Sequence, residues 1–217
     1  MPFCVGLDLG QSADYTALAV VQSVTEESPA GGHRKALHLR HLERYPLRTP
    51  YPEIAGKVAA LVRSPELSPT EYDPSRVRYF SKAPDLAVDA TGVGVAVTDL
   101  LKAQGLRFRP ITITGGDKVN AAAGGYRVPK RDLVAALEVP FHTGELKVAE
   151  GLELWPALQT ELLNFRRKIN LKTAHDSYEH WRDSDHDDLV LAVALACWWI
   201  RRRQSRMVRV MRKPPGF

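Results

Sequence analysis

The order of apolar segments in this chain predicts an α/β fold: a mixed sheet with an antiparallel three-strand start, flanked by helices. Three observations carry that prediction. Strand-like segments follow one another with short connections over residues 3–45, as in a meander. Strand-like and helix-like segments then alternate as far as residue 114. The last helical segment, "DHDDLVLAVALACWWIRRR", is apolar enough to be buried.

"PFCVGLDLG" reads as the first strand and "YTALAVVQSV" as the second. The loop "EESPAGGHR" follows, with Gly31-Gly32 as its turn signal. In "KALHLRHLERY", Leu37, Leu39 and His41 share one parity, and His38, Arg40 and Leu42 the other. This predicts a third strand with an imperfect break near Leu42. "PYPEIAGKVAALVRS" spaces Ile54, Val58, Leu61 and Val62 for one helical face, and Pro52 suits a helix start. "SPELSPTEYDPSR" reads as a Pro-rich surface loop. "PDLAVDATGVG" repeats the opening pattern of apolar strand, aspartate and glycines, here as a fourth strand. "GVAVTDLLKAQG" is a helix stopped by Gly105, and "RFRPITIT" is another strand. "GGDKVNAAAGGY" reads as mobile or hairpin-like, and "KRDLVAALEV" as a helix. "FHTGELKVAEG" suggests a hairpin or an irregular pair of short strands. "ELWPALQTELLNFRRKI" is a helix with Trp155, Leu158, Leu162 and Phe165 on one stripe.

A length of 217 residues suits one large domain. The reading is a single α/β domain over 1–200 and a basic tail over 201–217. Residues 201–213 carry seven basic side chains and no acid. The chain is +5 overall, so without these seven the rest carries −2. A tail of this kind meets a polyanion or an acidic partner surface, or is simply solvated. No apolar run approaches the ~20 residues of a membrane span, so no membrane association is expected. Cys4 and Cys197 lie in apolar segments without metal-type spacing and read as buried thiols in a reducing compartment.

Acids stand where charge is least expected. Asp8 interrupts a strand that is otherwise apolar, and burying an unpaired charge there is costly. Asp14 follows six residues later, just before the next apolar run. Asp89 ends the fourth strand, and Asp187 and Asp188 open the last helix with Asp185 and His186 beside them. Clustered carboxylates must be protonated or bridged by cations, and oxygen-only clusters favour Mg²⁺ or Mn²⁺. Two such ions about 3.5–4 Å apart serve phosphodiester cleavage. Acids at a helix start also act as caps, so "DSDHDD" reads both ways, and Asp89 could equally cap the helix that follows it. His175, His180 and His186 fit no zinc spacing; His186 is the best placed for an auxiliary metal or proton role. Neither "VDATGVG" nor "GGDKVN" matches a P-loop, which argues against ATP hydrolysis by that route. An acidic site repels a phosphodiester substrate unless nearby cations offset it; Arg127, Lys130, Arg131, Arg166, Arg167 and Lys168 are the candidates.

"GLDLGQSADYTALAVV", "LAVDATGVGVAV", "GGYRVPKRDLV", "ELLNF" and "HDDLVLAVALA", in that order, resemble the C-terminal nuclease domain of phage large terminase subunits, over most of residues 3–200. The resemblance implies a ribonuclease H-like fold and a two-metal endonuclease that cuts concatemeric phage DNA during packaging. It implies Asp8 as the ligand bridging two Mg²⁺ or Mn²⁺ ions, Asp89 as the second ligand, and Asp188, with Asp187 as rival, as the third. Asp14 matches a further acidic position of the family, a mobile ligand, and Lys130 a basic position near the DNA. Double-stranded DNA, the portal and the small terminase protein are the implied partners, in the host cytoplasm. The family is often glycine-rich after the first aspartate, where this chain has Gln11-Ser12-Ala13. Related resolvases carry an acid one turn into the last helix, where this chain has Leu191. The first strand begins at residue 3, so the family's N-terminal packaging ATPase is expected to be absent from this chain, whether it is an isolated domain, a processed piece or a separate gene product. The competing readings are a Holliday-junction resolvase on the same fold, a non-enzymatic DNA-binding or scaffold module, and a sugar-kinase or actin-like ATPase, which needs roughly twice the length.

Overall fold

The computed structural model describes residues 3–10, 14–28, 31–73, 78–81, 83–92, 94–122, 124–172 and 187–211. The chain starts as the expected meander. Strand β1 (Phe3–Asp8) pairs antiparallel with β2 (Thr16–Glu27), and β2 with β3 (His33–Tyr45). Helix α1 (Tyr51–Val62) follows, then β6 (Asp85–Asp89), which lies parallel to β1 on its other side. After α2 (Gly94–Ala103) the sheet grows outward through β7 (Arg109–Thr114), β8 (Asn120–Ala122) and β9 (Gly125–Pro129). Helix α3 (Lys130–His142) then returns the chain to the far edge, where β10 (Leu146–Val148) pairs with β3. Helices α4 (Trp155–Lys172) and α5 (Asp188–Met211) complete the described chain. The eight-stranded order is β10-β3-β2-β1-β6-β7-β9-β8.

Strand alternation sorts the core onto two faces. Val5, Leu7, Leu18, Val20, Leu86 and Val88 pack with Ile54 and Val58 of α1 and Val97 and Leu101 of α2. Cys4, Ala17, Ala19, Val21 and Ala87 pack on the opposite side, with α5, Leu133 and Leu137 of α3, and Leu158 of α4. Every residue of α5 from Asp188 to Ile200 is buried. A helix enclosed on all sides must be apolar all round, which is what its sequence shows.

The parity break in β3 is a bulge. Val20 pairs with His41 and Val21 with Leu39, so Arg40 is the extra residue. The expected break near Leu42 therefore lies two residues earlier. The bulge returns Leu42 to the face of Leu37 and Leu39.

Two local expectations change. The segment read as a Pro-rich loop contains β4 (Thr70–Asp73), which forms a separate antiparallel pair with β5 (Arg78–Ser81). The segment "FHTGELKVAEG" is neither a hairpin nor a strand pair. Phe141 and His142 still belong to α3, Gly144 adopts a positive φ of 67° after the helix, and β10 alone follows, parallel to β3. The crossover through α3 makes β10 parallel, because the chain has already traversed the layer before it rejoins the sheet. "GGDKVNAAAGGY" does enter a hairpin: β8 and β9 are antiparallel, with Asn120 opposite Arg127. Residues 201–211 continue α5. Within that stretch Arg201 pairs with Glu145 at 2.5 Å, Arg203 pairs with Asp85, and Arg202 lies 4.4 Å from the Tyr126 ring centroid.

Candidate active site

Asp8 and Asp89 end neighbouring parallel strands. Leu7 pairs with Val88, so the two aspartates stand one step beyond that pair, on the face covered by α5. Both are buried, at 8% and 7% exposure, although each is a carboxylate. α5 begins beside them. Asp187 provides the carbonyl that accepts the first helical bond, from Leu191 N–H at 2.9 Å, and Asp188 is the first helical residue.

Close approach of α5 depends on Gly6. A Cβ there would overlap the Ala192 carbonyl oxygen and stand 3.0 Å from the Ala196 nitrogen. Without a side chain at Gly6 the helix lies directly on β1, and its N-terminus reaches Asp8.

The electrostatics record this convergence. Burial pushes the Asp8 carboxyl well above its ordinary range, and the charges of Asp89, Asp187 and Asp188 push it further. Asp8 also hydrogen-bonds Asp89, which favours its protonated form. Asp89 is raised as well, chiefly by burial. Hydrogen bonds from Thr91 and from Asp8, and the Lys130 charge, oppose that rise. Asp8 is thus the natural proton holder of the pair. The Thr91 amide donates to Asp89 Oδ1 at 2.7 Å, and the Thr91 hydroxyl oxygen accepts the Ile113 amide at 2.7 Å. Asp89 thus receives an amide from the turn after its own strand.

Counter-ions reach the other two acids. Lys130 Nζ, at the start of α3, stands 3.0 Å from Asp187 Oδ2. Arg44 Nε, on β3, donates to Asp188 Oδ2 at 2.7 Å, and Arg44 Nη2 donates to Glu161 Oε1. Glu161, from α4, is itself buried, and its Oε2 accepts the Leu189 and Val190 amides at 3.0 and 3.2 Å. Two of the orphan N–H groups at the start of α5 are therefore satisfied from another helix.

The structure brings Asp8, Asp89, Asp187, Asp188 and Lys130 together. Asp14 is exposed in the β1–β2 connection, just before Thr16. Arg127 lies on β9, lining an open cavity of about 390 Å³ with Thr114, Lys118 and Asn120. Arg131 holds Asp117 through Nη1 at 2.8 Å. His186 and the side chains of Arg166, Arg167 and Lys168 lie outside the described residues.

Arg44 and Glu161 were not singled out from the sequence. Glu161 carried a signal: it lies three residues after Leu158 and next to Leu162, an acid within an apolar helical stripe. Arg44 carried none, because its face depends on the bulge at Arg40.

Among the described residues, no three His, Cys, Asp or Glu side chains form a ready-made cage for a metal ion. In this conformation Arg44 and Lys130 engage Asp188 and Asp187. The donor chemistry fits a hard divalent cation all the same. Four carboxylates converge, and Asp8 and Asp89 resist ionisation until a positive charge offsets them.

No protein-family model matches the chain, and no curated protein sequence matches it. Solved structures do. The large terminase nuclease from thermophilic phage G20c with bound zinc is 20% identical, with TM-score 0.50, covering 90% of this chain and 79% of that one. A second structure of that nuclease is 19% identical, with TM-score 0.51, covering 90% and 80%. RuvC from Thermus thermophilus is 19% identical at TM-score 0.39, covering 94% and 96%. The terminase comparisons establish a shared fold, and the mixed eight-stranded sheet with its antiparallel start and flanking helices is the ribonuclease H-like arrangement that the family resemblance implies.

Proposed function

We propose that this chain is a divalent-metal-dependent endodeoxyribonuclease that cuts concatemeric phage DNA during genome packaging. The observation that carries the reading is the burial of Asp8 and Asp89 side by side, where Asp187 and Asp188 add their charges. A fold needs no such arrangement for stability, because unpaired buried acids destabilise it. The fold shared with the phage G20c terminase nuclease and the ordered motifs support the packaging role. On this reading the portal, the small terminase protein and a packaging ATPase are partners, in the host cytoplasm. Among the described residues no helix is long and apolar enough to cross a membrane.

Asp8, Asp89 and Asp188, with Asp187, would hold Mg²⁺ or Mn²⁺, two ions in the full mechanism. When bound, such ions supply Lewis acidity for attack of water on a phosphodiester. The protein's own share begins with Asp8 and Asp89, whose burial keeps bulk water from competing for their oxygens. Thr91 fixes the orientation of Asp89 through its amide. Lys130 places a cation beside Asp187 that offsets repulsion between the acids and an incoming phosphate. Arg127 and Arg131, on β9 and α3 next to it, extend that positive edge, with Arg166, Arg167 and Lys168 on α4 as further DNA contacts. Asp14, in the β1–β2 connection, is a candidate further ligand, and His186 an auxiliary group next to Asp187.

The test is supercoiled plasmid incubated with Mg²⁺, Mn²⁺ or EDTA. Nicking and linearisation are expected with either metal and not with EDTA. Asp8→Asn, which removes charge but little volume, should abolish cleavage while the fold persists. Cleavage by Asp8→Asn at the wild-type rate, or no cleavage by the wild type in either metal, overturns the reading. Preference for a four-way junction over linear duplex would redirect it to a resolvase.

A further inference from the structure

Asp8, Ala17 and Arg44 stand in one row across three strands. Asp8 pairs with Ala17 on β2, and Ala17 pairs with Arg44 on β3. Two strand spacings separate Asp8 from Arg44, about 10 Å. Ala17, between them, has only a methyl group and leaves the guanidinium room to reach across. Arg44 faces this side only because Arg40 bulges out of the ladder; without the bulge, alternation would turn it to the α1 face. At that position Arg44 bridges two buried carboxylates from different elements, Asp188 at the head of α5 and Glu161 on α4. Its guanidinium carbon also lies 5.1 Å from the ring centroid of Tyr15, next to Asp14. Glu161 binds the Leu189 and Val190 amides, so this clasp fixes the first turn of the helix and the first acid on it.

We propose that Arg44 is the positioning residue for the metal-binding carboxylate Asp188, with Glu161 as its anchor. The inference rests on the nuclease reading above and adds a residue that touches neither DNA nor the reacting atoms. Two ionised carboxylates cannot sit buried beside one another without a cation between them. Lysine would supply the charge. Only the planar fork of arginine bonds two acceptors at fixed angles and so sets the direction in which Asp188 points. Partners that orient metal ligands typically contribute 10–100-fold in metal affinity or activity.

The test follows melting temperature across Mg²⁺ and Mn²⁺ titrations for the wild type, Arg44→Lys and Arg44→Met, with plasmid cleavage kinetics alongside. Positioning predicts that the midpoint of metal stabilisation moves to at least about tenfold higher concentration in both variants. It also predicts that kcat falls while KM for DNA holds. Arg44→Lys keeps the charge and so protects the fold, which makes its result decisive where Arg44→Met fails to fold. A wild-type midpoint in Arg44→Lys means charge alone suffices and overturns the proposal. So does a lower midpoint in either variant, since Arg44 would then merely compete with the ion. A wild type that shows neither metal stabilisation nor cleavage overturns the nuclease reading itself. A wild type that shows both, beside an indifferent Arg44→Lys, overturns this inference alone.

Discussion

Gly6 on β1 lies directly beneath Ala192 of α5, and any Cβ at Gly6 would occupy the space of the Ala192 carbonyl oxygen. The obstacle is backbone, which cannot rotate away as a side chain can. Two positions on, along the same strand face, Asp8 receives the charges of Asp187 and Asp188. The glycine therefore sets the distance between the strand acid and the helix acids.

Gly6→Ala should lift α5 off the sheet. Overpacking of this kind costs about 1–3 kcal/mol, and a collision with backbone belongs at the upper end. In a chain of this size each kcal/mol lowers the melting temperature by roughly 2–4 °C. Cleavage should fall further than stability does, measured at a temperature where the variant remains folded. A variant that melts and cuts like the wild type would show that the helix tolerates the shift.

Metal-free stability should fall as pH rises. Asp8 and Asp89 both hold their protons more tightly in the folded chain than in the unfolded one. The folded state then binds more protons, so stability declines from the ordinary carboxylate range, about pH 4, upward until the pair has ionised. Asp8→Asn should raise the melting temperature in EDTA at neutral pH, flatten this decline and blunt the response to Mg²⁺ or Mn²⁺. Melting curves over pH 4–9 in EDTA check the sign; a wild-type curve that rises monotonically, or is indifferent to millimolar metal, contradicts it.

Thr91→Val tests the support of Asp89. The substitution preserves shape but removes the oxygen that accepts the Ile113 amide. An unsatisfied amide at this partly buried site should cost about 1–3 kcal/mol. Losing the Thr91 hydroxyl also removes an interaction that favours ionised Asp89, so that carboxyl should titrate still higher. Carboxyl-carbon NMR of the metal-free protein reads the shift directly, and an unmoved Asp89 signal would remove Thr91 from the site.

The basic end of the chain divides into two parts. Arg201 and Arg203 are engaged by Glu145 and Asp85, and Arg202 stacks on Tyr126. Arg206, Arg209, Arg212 and Lys213 lie beyond them in sequence. Truncation after Ser205 should therefore spare the bonds to the sheet. If those four meet phosphates, the slope of log affinity against log salt should flatten by about 0.9 for each phosphate no longer neutralised. Duplex binding across a salt series measures it. An unchanged slope would leave docking on another protein as the role of this segment.

The sequence alone determined most of the elements and where the acids stand in them. Strand parity, helical spacing and turn residues are local properties. They therefore revealed the three-strand start, the buried final helix, and the oddity of Asp8 within an apolar strand. They also marked Asp89 and Asp187-Asp188 as the acids able to join it. Two things were decided only in three dimensions. One was how the acids are balanced: Arg44 lies 144 residues from Asp188 in sequence, and its face depends on a one-residue bulge that parity registers only as a break. The other was the cap of α5. A helix-start sequence such as "DSDHDD" offers its own acids as caps, yet Glu161 of α4 takes the Leu189 and Val190 amides. Spacing along the chain records which groups can meet within one element. Which groups meet between elements depends on how closely those elements pack, and here that closeness is set by the missing side chain at Gly6.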